Sequence, residues 1–291
     1  MRTNHVVMVR PHKFEFNPIT AKDNVYQNDI EGVNVKKSAL VEFDRVVEKL
    51  KNLGVKVSII EDNREPSTPD SIFPNNWFTV EKDRVTIYPM YAKNRELEKD
   101  KFLKDLMAIA GSRQLLDIST ISSGILEGTG SVVFDHYNKK AYCALSNRSN
   151  EDIFNKMCEI RGYKPISFVA TDDGKPIYHT NVLMSISEHF AIVCLESIEE
   201  KYRNIVISEL KDSGKEIVEI SYEQLKNFAG NSIELEGDRS FFVMSKSGYE
   251  SLRDDQIEII QKYLPIETFD VSTIEKVGGG SIRCMIAEFF K

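Results

Sequence analysis

The order of the secondary-structure signals along this chain is its strongest constraint on the fold. Apolar residues recur with helical spacing in five segments, 35–53, 94–110, 150–161, 198–212 and 254–264. Pairs of strand-like runs lie between these helices, at 77–80 with 84–88, 131–134 with 141–145, 181–186 with 190–195, and 232–235 with 240–244. Several helices are also followed by a short β-branched run. Two strands, a helix and a strand therefore recur roughly every 50–60 residues, a length typical of a structural repeat.

This recurrence predicts an α/β fold built from ββαβ units. Units arranged in a ring bury their inner faces against one another and leave only short edges. A closed ring of five units would bring the ends of its strands around one central cavity, whereas the alternative is an open mixed sheet. The length of 291 residues suits one large α/β domain or two smaller ones.

The composition of the chain argues against two classes of binding partner. The net charge of -7 argues against binding to nucleic acid or to an anionic membrane, because both require a basic surface. No apolar stretch approaches the roughly 20 residues that span a bilayer. We see no export signal, so we expect a cytoplasmic protein without nucleic-acid or membrane partners.

The cysteines and histidines give no sign of a metal site. Cys143, Cys158, Cys194 and Cys284 show no short paired spacing, and the five histidines form no HExxH motif. We therefore expect a protein without a metal, and with free thiols as in a reducing compartment.

Cys284 is the cysteine with the most informative surroundings. It follows Gly278-Gly279-Gly280-Ser281-Ile282-Arg283, and glycines allow the backbone to turn and to approach other groups closely. A thiol after such a run can be presented at a cavity. Taken alone, a buried core cysteine on a last apolar strand is the simpler interpretation.

Glu127 and His179 supply the partners that a reactive thiol requires. Glu127 stands in Leu126-Glu127-Gly128-Thr129-Gly130-Ser131, and His179 precedes a predicted strand pair. Each signal is weak by itself, since a lone histidine is more often structural. Together, a thiol, an imidazole and a carboxylate are the components of a thiol-dependent acyl-type transfer.

The chain resembles the guanidine-modifying enzymes of the pentein, or α/β-propeller, superfamily. That superfamily includes arginine deiminases, dimethylarginine dimethylaminohydrolases, arginine dihydrolases and amidinotransferases. The supporting motifs are Val9-Arg10-Pro11 with Phe14-Glu15-Phe16-Asn17, Phe73-Pro74-Asn75-Asn76-Trp77-Phe78, Leu126 to Ser131, His179-Thr180-Asn181-Val182, and Gly278 to Cys284. Within the superfamily the chain is most similar to a bacterial branch of citrulline-utilisation hydrolases.

The resemblance implies a fold and a set of roles. The fold is a five-fold pseudosymmetric α/β propeller of ββαβ units, with residues 1–291 forming one catalytic domain. The nucleophile is then Cys284, the proton-transfer histidine His179 and its carboxylate partner Glu127. The resemblance implies a small amino acid as the partner and no cofactor, and it allows a homodimer.

Further positions match residues that bind substrate in this superfamily. Asp70 matches an aspartate at the substrate head group. Arg148 and Arg95 match arginines that hold the substrate carboxylate, to which a guanidinium can donate two parallel hydrogen bonds. The segment from Phe14 to Asn17 is expected to act as a lid that excludes water. Tyr178, Arg283 and Asn231 are candidates for the cavity wall without an assigned role.

The pair Asn75-Asn76 departs from the pattern of arginine-handling relatives, which tend to place acidic residues in this stretch. A guanidinium has only N–H donors, whereas a neutral ureido group has a carbonyl acceptor as well. An asparagine amide offers both polarities, while a carboxylate against a ureido carbonyl would be desolvated without a countercharge. We therefore predict a pocket for a neutral head group, although arginine dihydrolases share this feature and begin from a guanidinium.

The predicted function is hydrolysis of a ureido or guanidino C–N bond in a free amino acid, with citrulline as the first candidate and ornithine, ammonia and carbon dioxide as products. An arginine dihydrolase, a deiminase or an amidinotransferase is the alternative within the superfamily. A non-catalytic pentein binding factor is the alternative from a different class.

Overall fold

Five small mixed sheets dominate the computed structural model, which describes residues 2–30 and 34–291. Each of these sheets has three strands, and its central strand pairs antiparallel with one neighbour and parallel with the other. The mixed α/β class and the recurrence of the ββαβ order are therefore confirmed.

The first half of the chain contributes the elements of two complete units and the beginning of a third sheet. In chain order they are β1 (His5–Arg10), α1 (Val35–Asn52), β2 (Lys56–Glu61), β3 (Phe78–Val80), β4 (Arg84–Ile87), α2 (Lys93–Ala110), β5 (Gln114–Asp117), α3 (Gly128–Ser131), β6 (Val133–Asp135), β7 (Lys140–Ala144), α4 (Glu151–Arg161) and β8 (Lys164–Phe168). Short 3₁₀ helices lie at Thr20–Lys22, Pro74–Asn76 and Ile118–Thr120.

The second half adds a two-stranded hairpin and two further units. Its elements are β9 (Thr171–Asp172), β10 (Lys175–Pro176), α5 (Thr180–Leu183), β11 (Met184–Ile186), β12 (Phe190–Val193), α6 (Glu200–Asp212), β13 (Glu216–Glu219), α7 (Tyr222–Lys226), β14 (Ile233–Glu236), β15 (Ser240–Ser245), α8 (Lys246–Ser251), α9 (Asp254–Gln261), β16 (Ile266–Phe269), α10 (Ser272–Gly278) and β17 (Ala287–Glu288). A 3₁₀ helix spans Leu195–Ser197.

Local physical chemistry explains why these segments adopt these elements. In α1, Ala39, Phe43, Val46 and Leu50 are buried, and their spacing places them on one face of the helix. The side chain of Asn34 caps this helix by accepting from the backbone N–H of Lys37. The helix predicted at 254–264 ends at Gln261, three residues early. Pro265 prevents its continuation, because proline has no N–H to donate to the carbonyl of Gln261 and its ring would clash with that carbonyl.

The fifth sheet joins the two ends of the described chain. Its order is β17-β1-β2, with Val6 opposite Glu288 and Val7 opposite Ala287. The strand β2 pairs parallel to β1 after the helix α1, so this unit also has the ββαβ arrangement with its first strand taken from β17. This pairing holds the loop that carries Cys284 beside the strands of the first half.

The first strands of neighbouring units lie next to one another. The strand β11 lies against both β6 and β14, and β17 lies against β3. We call the few residues directly before the first strand of each unit its entrance segment. Polar residues occupy all five entrance segments, with Asn75 and Asn76 before β3, Glu127 before β6, His179 before β11, Asn231 before β14, and Cys284 before β17. The repeat therefore places these side chains at the start of the first strand of each of the five units.

Candidate active site

A narrow cavity of about 10 Å³, roughly the room for one water molecule, lies where the entrance segments meet. Six of the eight predicted site residues line it, namely Asp70, Asn76, Arg95, Arg148, His179 and Cys284. Glu127 lies behind His179, and Asn75 is not part of the wall. Side chains far apart in the sequence therefore line one cavity.

Cys284 is held at the cavity by the turn that follows α10. Gly279 ends this helix in the left-handed conformation, with φ of 60°, which glycine adopts without steric cost. The backbone N–H of Cys284 then donates to the carbonyl of Ser281 at 2.9 Å. The thiol is 3% exposed, and burial raises its pKa, although a hydrogen bond from Asn231 opposes this effect. The nucleophile predicted from the sequence thus lies on a cavity wall rather than within a strand.

His179 and Glu127 form a buried imidazole–carboxylate pair. The His179 Nε2 atom lies 2.7 Å from Glu127 Oε2, and the other carboxylate oxygen accepts from the backbone N–H of Tyr91 at 2.9 Å. Burial alone would raise the pKa of Glu127, but the nearby Arg148 guanidinium and His179 lower it to about 2. Burial lowers the pKa of His179, against the influence of Glu127. The imidazole is therefore neutral at pH 7, oriented by an ionised carboxylate, and able to accept a proton.

Gly130 makes room for this pair. A Cβ atom at Gly130 would lie 2.8 Å from His179 Nδ1 and 2.4 Å from Asn76 Nδ2. Such distances are shorter than van der Waals contact, so any side chain at this position would displace both groups. The glycine-rich motif around Glu127 is thus explained by close packing against the cavity wall.

Asp70 offers an acceptor to the cavity. Its Oδ2 atom accepts hydrogen bonds from Asn17 Nδ2 at 2.7 Å and from Thr20 Oγ1 at 2.8 Å. The Oδ1 atom is buried and has no hydrogen-bond partner among residues 2–30 and 34–291. Burial raises the pKa of Asp70, partly offset by Arg95. An unpaired buried oxygen on the wall is a position at which a ligand N–H would be stabilised.

Of the two adjacent asparagines, Asn75 and Asn76, only Asn76 lines the cavity. The Asn76 Oδ1 atom accepts from Arg95 Nη1 at 2.6 Å, and because arginine only donates, this contact fixes the orientation of the amide. Asn76 Nδ2 is then a donor without a hydrogen-bond partner in the described part of the chain. Asn75 is fully buried and does not line the cavity, and neither polar atom of its side chain has a hydrogen-bond partner among the described residues, so its contact with the head group stays a prediction.

Arg95 braces the wall instead of presenting a free guanidinium. It belongs to α2, where Nε and Nη2 donate to the carboxylate of Glu98 at 2.8 and 3.0 Å. Nη2 also donates to the backbone carbonyls of Asp70 and Phe73. The clamp on a substrate carboxylate stays a prediction, whereas the observed donors hold Glu98 and the segment that carries Asp70 and Asn76.

Arg148 faces the cavity but its guanidinium is engaged by Asp23. Nε donates to Asp23 Oδ2 at 2.7 Å and Nη2 donates to Oδ1, while Nη1 lies 3.6 Å from Glu127 Oε2. The guanidinium also stacks 4.8 Å from the ring centroid of Tyr178. A substrate carboxylate could use the same two donors only by displacing Asp23.

The cavity is covered by the segment from Asn17 to Asn28. Thr20, Asn24 and Gln27 line the cavity, and the side chains of Asn24 and Gln27 donate to the backbone carbonyls of the glycine run. Phe14, at the start of the predicted lid, is fully buried in the core. The covering segment therefore begins later than predicted, at Asn17.

Three polar residues of this region were not assigned from the sequence. The side chains of Asn181 and Asn231 contact the sulfur of Cys284, and Asp23 pairs with Arg148. Asn181 lies within the motif that begins at His179, so the sequence already indicated that this segment belongs to the candidate site. Asp23 carries no sequence signal, because nothing local to residue 23 indicates its partner at residue 148.

Two features of the described residues bear on metals and membranes. Across the ranges that the structure describes, no group of three or more His, Cys, Asp or Glu side chains is arranged to hold a metal ion. None of the described helices combines the length and apolar character needed to cross a bilayer.

Comparisons with solved structures show the same fold. ArgZ, an arginine dihydrolase from the ornithine-ammonia cycle in cyanobacteria, matches 99% of this chain at a TM-score of 0.79 and 14% identity. The chain spans only 40% of the length of that protein, but it spans 98% of an isolated N-terminal domain of ArgZ, at a TM-score of 0.78. A DDAH from Pseudomonas aeruginosa matches 99% of this chain and 100% of its own, at a TM-score of 0.70 and 16% identity. Similarity at these identities establishes the pentein fold alone.

Comparison with family models identifies the relationship. No curated protein matched the chain significantly. Residues 10–291 match the model described as N,N dimethylarginine dimethylhydrolase, eukaryotic, which covers almost the whole sequence. The chain therefore belongs to the N,N dimethylarginine dimethylhydrolase family of the pentein superfamily.

Proposed function

We propose that this protein is a cysteine-dependent hydrolase that cleaves a C–N bond of a ureido or guanidino group in a free amino acid, with citrulline as the first candidate. We further propose that residues 1–291 act as one catalytic domain in the cytoplasm, where a reducing environment keeps thiols free. The observation that carries the proposal is that two residues of the cavity wall each keep a buried side-chain atom without a hydrogen-bond partner among residues 2–30 and 34–291, the acceptor Asp70 Oδ1 and the donor Asn76 Nδ2.

A ureido head group complements both of these atoms. Its N–H groups can donate to Asp70 Oδ1, and its carbonyl can accept from Asn76 Nδ2. A guanidinium carries no acceptor, so it would leave the Asn76 donor unpaired. A buried donor without a partner costs about 1–3 kcal/mol, which favours the neutral head group at this position.

The proposed mechanism uses Cys284, His179 and Glu127. His179 accepts the proton of the Cys284 thiol, and the thiolate sulfur attacks the ureido carbon to form an S–C bond. His179 then gives this proton to the nitrogen that leaves as ornithine when the C–N bond breaks. This step leaves a carbamoyl thioester on Cys284. His179 then removes a proton from water, whose oxygen displaces the sulfur. The released carbamate decomposes to ammonia and carbon dioxide.

The comparisons support this reaction class. Family members are named as hydrolases of dimethylarginine, and a cysteine-to-serine variant of the P. aeruginosa DDAH has been solved in complex with citrulline. An asparagine-to-serine variant of the ArgZ domain has been solved covalently bound to a reaction intermediate. Each of these variants changes a cysteine or an asparagine, and residues of both types line the cavity of this protein.

Arginine or a methylated arginine is the second candidate substrate. The observation in its favour is Asp70, whose carboxylate, when ionised, would pair with a guanidinium. The arginine dihydrolase domain has also been solved with its substrate. A dihydrolase would handle a ureido intermediate in the same cavity, so both candidates use the same wall.

Product analysis distinguishes these functions. The purified protein would be incubated separately with citrulline, arginine, a methylated arginine and an Nα-acylated arginine, with Cys284→Ser as the matched control. Ornithine with one ammonia from citrulline supports the proposal. Ornithine with two ammonias from arginine indicates a dihydrolase, and citrulline as end product indicates a deiminase or a dimethylarginine hydrolase. Absence of turnover with every substrate would favour a binding protein.

A further inference from the structure

Asn231 occupies the one entrance segment for which the proposed mechanism has no role. The other four segments supply Asn76, Glu127, His179 and Cys284. Asn231 is fully buried, and its Nδ2 atom lies 3.2 Å from the sulfur of Cys284. Asn181 Nδ2 lies at 3.6 Å from the same sulfur.

The protein fixes the orientation of the Asn231 amide. Its Oδ1 atom accepts from the backbone N–H of Arg283 at 3.1 Å, a group that can only donate. Its Nδ2 atom donates one hydrogen to the backbone carbonyl of Asn181 at 2.9 Å, a group that can only accept. A flipped amide would place two like groups against each other at both contacts. The second Nδ2 hydrogen is therefore directed to the sulfur.

The charged groups around the cavity are already paired. The pairs are Arg95 with Glu98, Arg148 with Asp23, His179 with Glu127, and Arg283 with Glu288. The other titratable groups on the wall, besides Cys284, are Asp70 and Tyr178. When Asp70 is ionised, its negative charge repels a thiolate and therefore favours the neutral thiol. A sulfur anion formed here is thus stabilised by its nearest neutral donors, with a further contribution from the positive charge of Arg283.

We propose that Asn231 is a catalytic residue that stabilises the Cys284 thiolate by donating an N–H hydrogen bond to its sulfur. Asn181, at a longer distance, contributes a weaker second donor. This inference rests on the proposed function of Cys284 as a nucleophile. A thiolate accepts hydrogen bonds more strongly than a thiol, so donors aimed at the sulfur favour ionisation. Burial raises the pKa of Cys284 and the Asn231 hydrogen bond lowers it, in agreement with this role.

The test measures the thiol without requiring turnover. The rate at which iodoacetamide alkylates Cys284 would be followed against pH by mass spectrometry, since the thiolate forms the S–C bond while iodide leaves. Asn231→Asp keeps the shape of the side chain and an oxygen facing the backbone N–H of Arg283, but a carboxylate oxygen takes the place of the N–H donor near the sulfur. It should slow alkylation at pH 7 by about tenfold and move the midpoint of the profile to higher pH. Asn231→Ala should act in the same direction.

Ser232→Ala is the matched control, because Ser232 is the buried neighbour and its hydroxyl contacts Ser185 rather than the sulfur. Its alkylation profile should equal that of the wild type. Folded Asn231 variants with an unchanged profile would overturn the inference. Failure of the proposed function would look different, because the wild type would then be alkylated normally and turn over no substrate.

A second measurement covers the case in which the Asn231 variants do not fold. In the wild-type protein, the side-chain amide proton of Asn231 should shift downfield in NMR spectra as Cys284 ionises. The same resonance should remain unmoved in Cys284→Ser. A resonance that does not respond to pH in the wild type would overturn the inference.

Discussion

Arg148 on the cavity wall and Asp23 form a bidentate ion pair. The Nε and Nη2 atoms of Arg148 donate to the two carboxylate oxygens of Asp23, which belongs to the covering segment from Asn17 to Asn28. The side chain of Arg148 is 3% exposed. The arginine expected to hold a substrate carboxylate is thus already bound to a carboxylate of the protein itself.

This pair leads to a prediction about substrate affinity. Asp23→Ala should lower the KM for an amino-acid substrate by about threefold or more, because the lid carboxylate no longer competes for Arg148. The kcat should change little. Steady-state kinetics with citrulline or arginine would be compared with agmatine, which lacks the carboxylate and should show no such gain. A raised KM for the amino acids would instead mean that Asp23 contacts the substrate directly.

Cys284→Ser should abolish turnover while leaving the fold intact. The substitution replaces a buried sulfur by an oxygen of similar size, so the melting temperature should stay within a few degrees, whereas a serine hydroxyl is a much weaker nucleophile at neutral pH. Turnover by mass spectrometry and thermal unfolding by circular dichroism check the two parts. Activity retained by the variant would remove Cys284 from the mechanism.

Asn76→Asp should shift the preference from citrulline toward arginine. One carboxylate oxygen would keep the contact with Arg95, and the other would replace the Nδ2 donor of this wall residue by an acceptor for a guanidinium. We expect the ratio of kcat/KM for arginine to that for citrulline to rise about tenfold. Asn75→Ser is the control, because residue 75 lies off the wall, and its ratio should equal that of the wild type. An unchanged ratio in Asn76→Asp would show that residue 76 does not read the head group.

Arg95→Met should destabilise the protein rather than merely weaken substrate binding. Removal of the guanidinium would leave Glu98 buried without its partner, which costs about 3–5 kcal/mol in comparable buried pairs. Urea unfolding measures this loss. Lys93→Ala removes an exposed cation from the same helix and should change the free energy of unfolding by less than about 1 kcal/mol. An Arg95 variant as stable as the wild type would contradict the bracing role.

Glu127 should make the protein sensitive to acid. Its pKa is about 2 in the folded protein against an ordinary value of 4.5, so the folded state binds its proton less readily than the unfolded state. The resulting stability, roughly 3 kcal/mol, is fully present above pH 4.5 and is lost as the pH falls toward 2. The difference in unfolding free energy between the wild type and Glu127→Gln should therefore narrow once the pH falls below about 5. A difference that stays constant from pH 7 to pH 3.5 would contradict the assignment.

Much of the local structure was predictable from the sequence. The helix at 35–53 was expected from the spacing of Phe43, Val46 and Leu50, and the observed helix ends one residue earlier, at Asn52. The recurrence of ββαβ units was equally visible, because the period of apolar residues depends only on neighbours in the chain. The motifs around Glu127, His179 and Cys284 marked the candidate site, since glycines and polar residues interrupt the apolar pattern there.

The tertiary structure alone decided which of these side chains meet. Asn75 and Asn76 are adjacent in sequence, but only Asn76 lies on the cavity wall, and Arg95 turned out to be engaged by Glu98. The pairing of Asp23 with Arg148 and the contact of Asn231 with Cys284 join residues 125 and 53 positions apart. Hydrogen bonds of this kind depend on distances of about 3 Å between atoms that the packing of five units brings together. Periodicity along a chain specifies each unit, but the partner of a polar group is set by how the units close on one another.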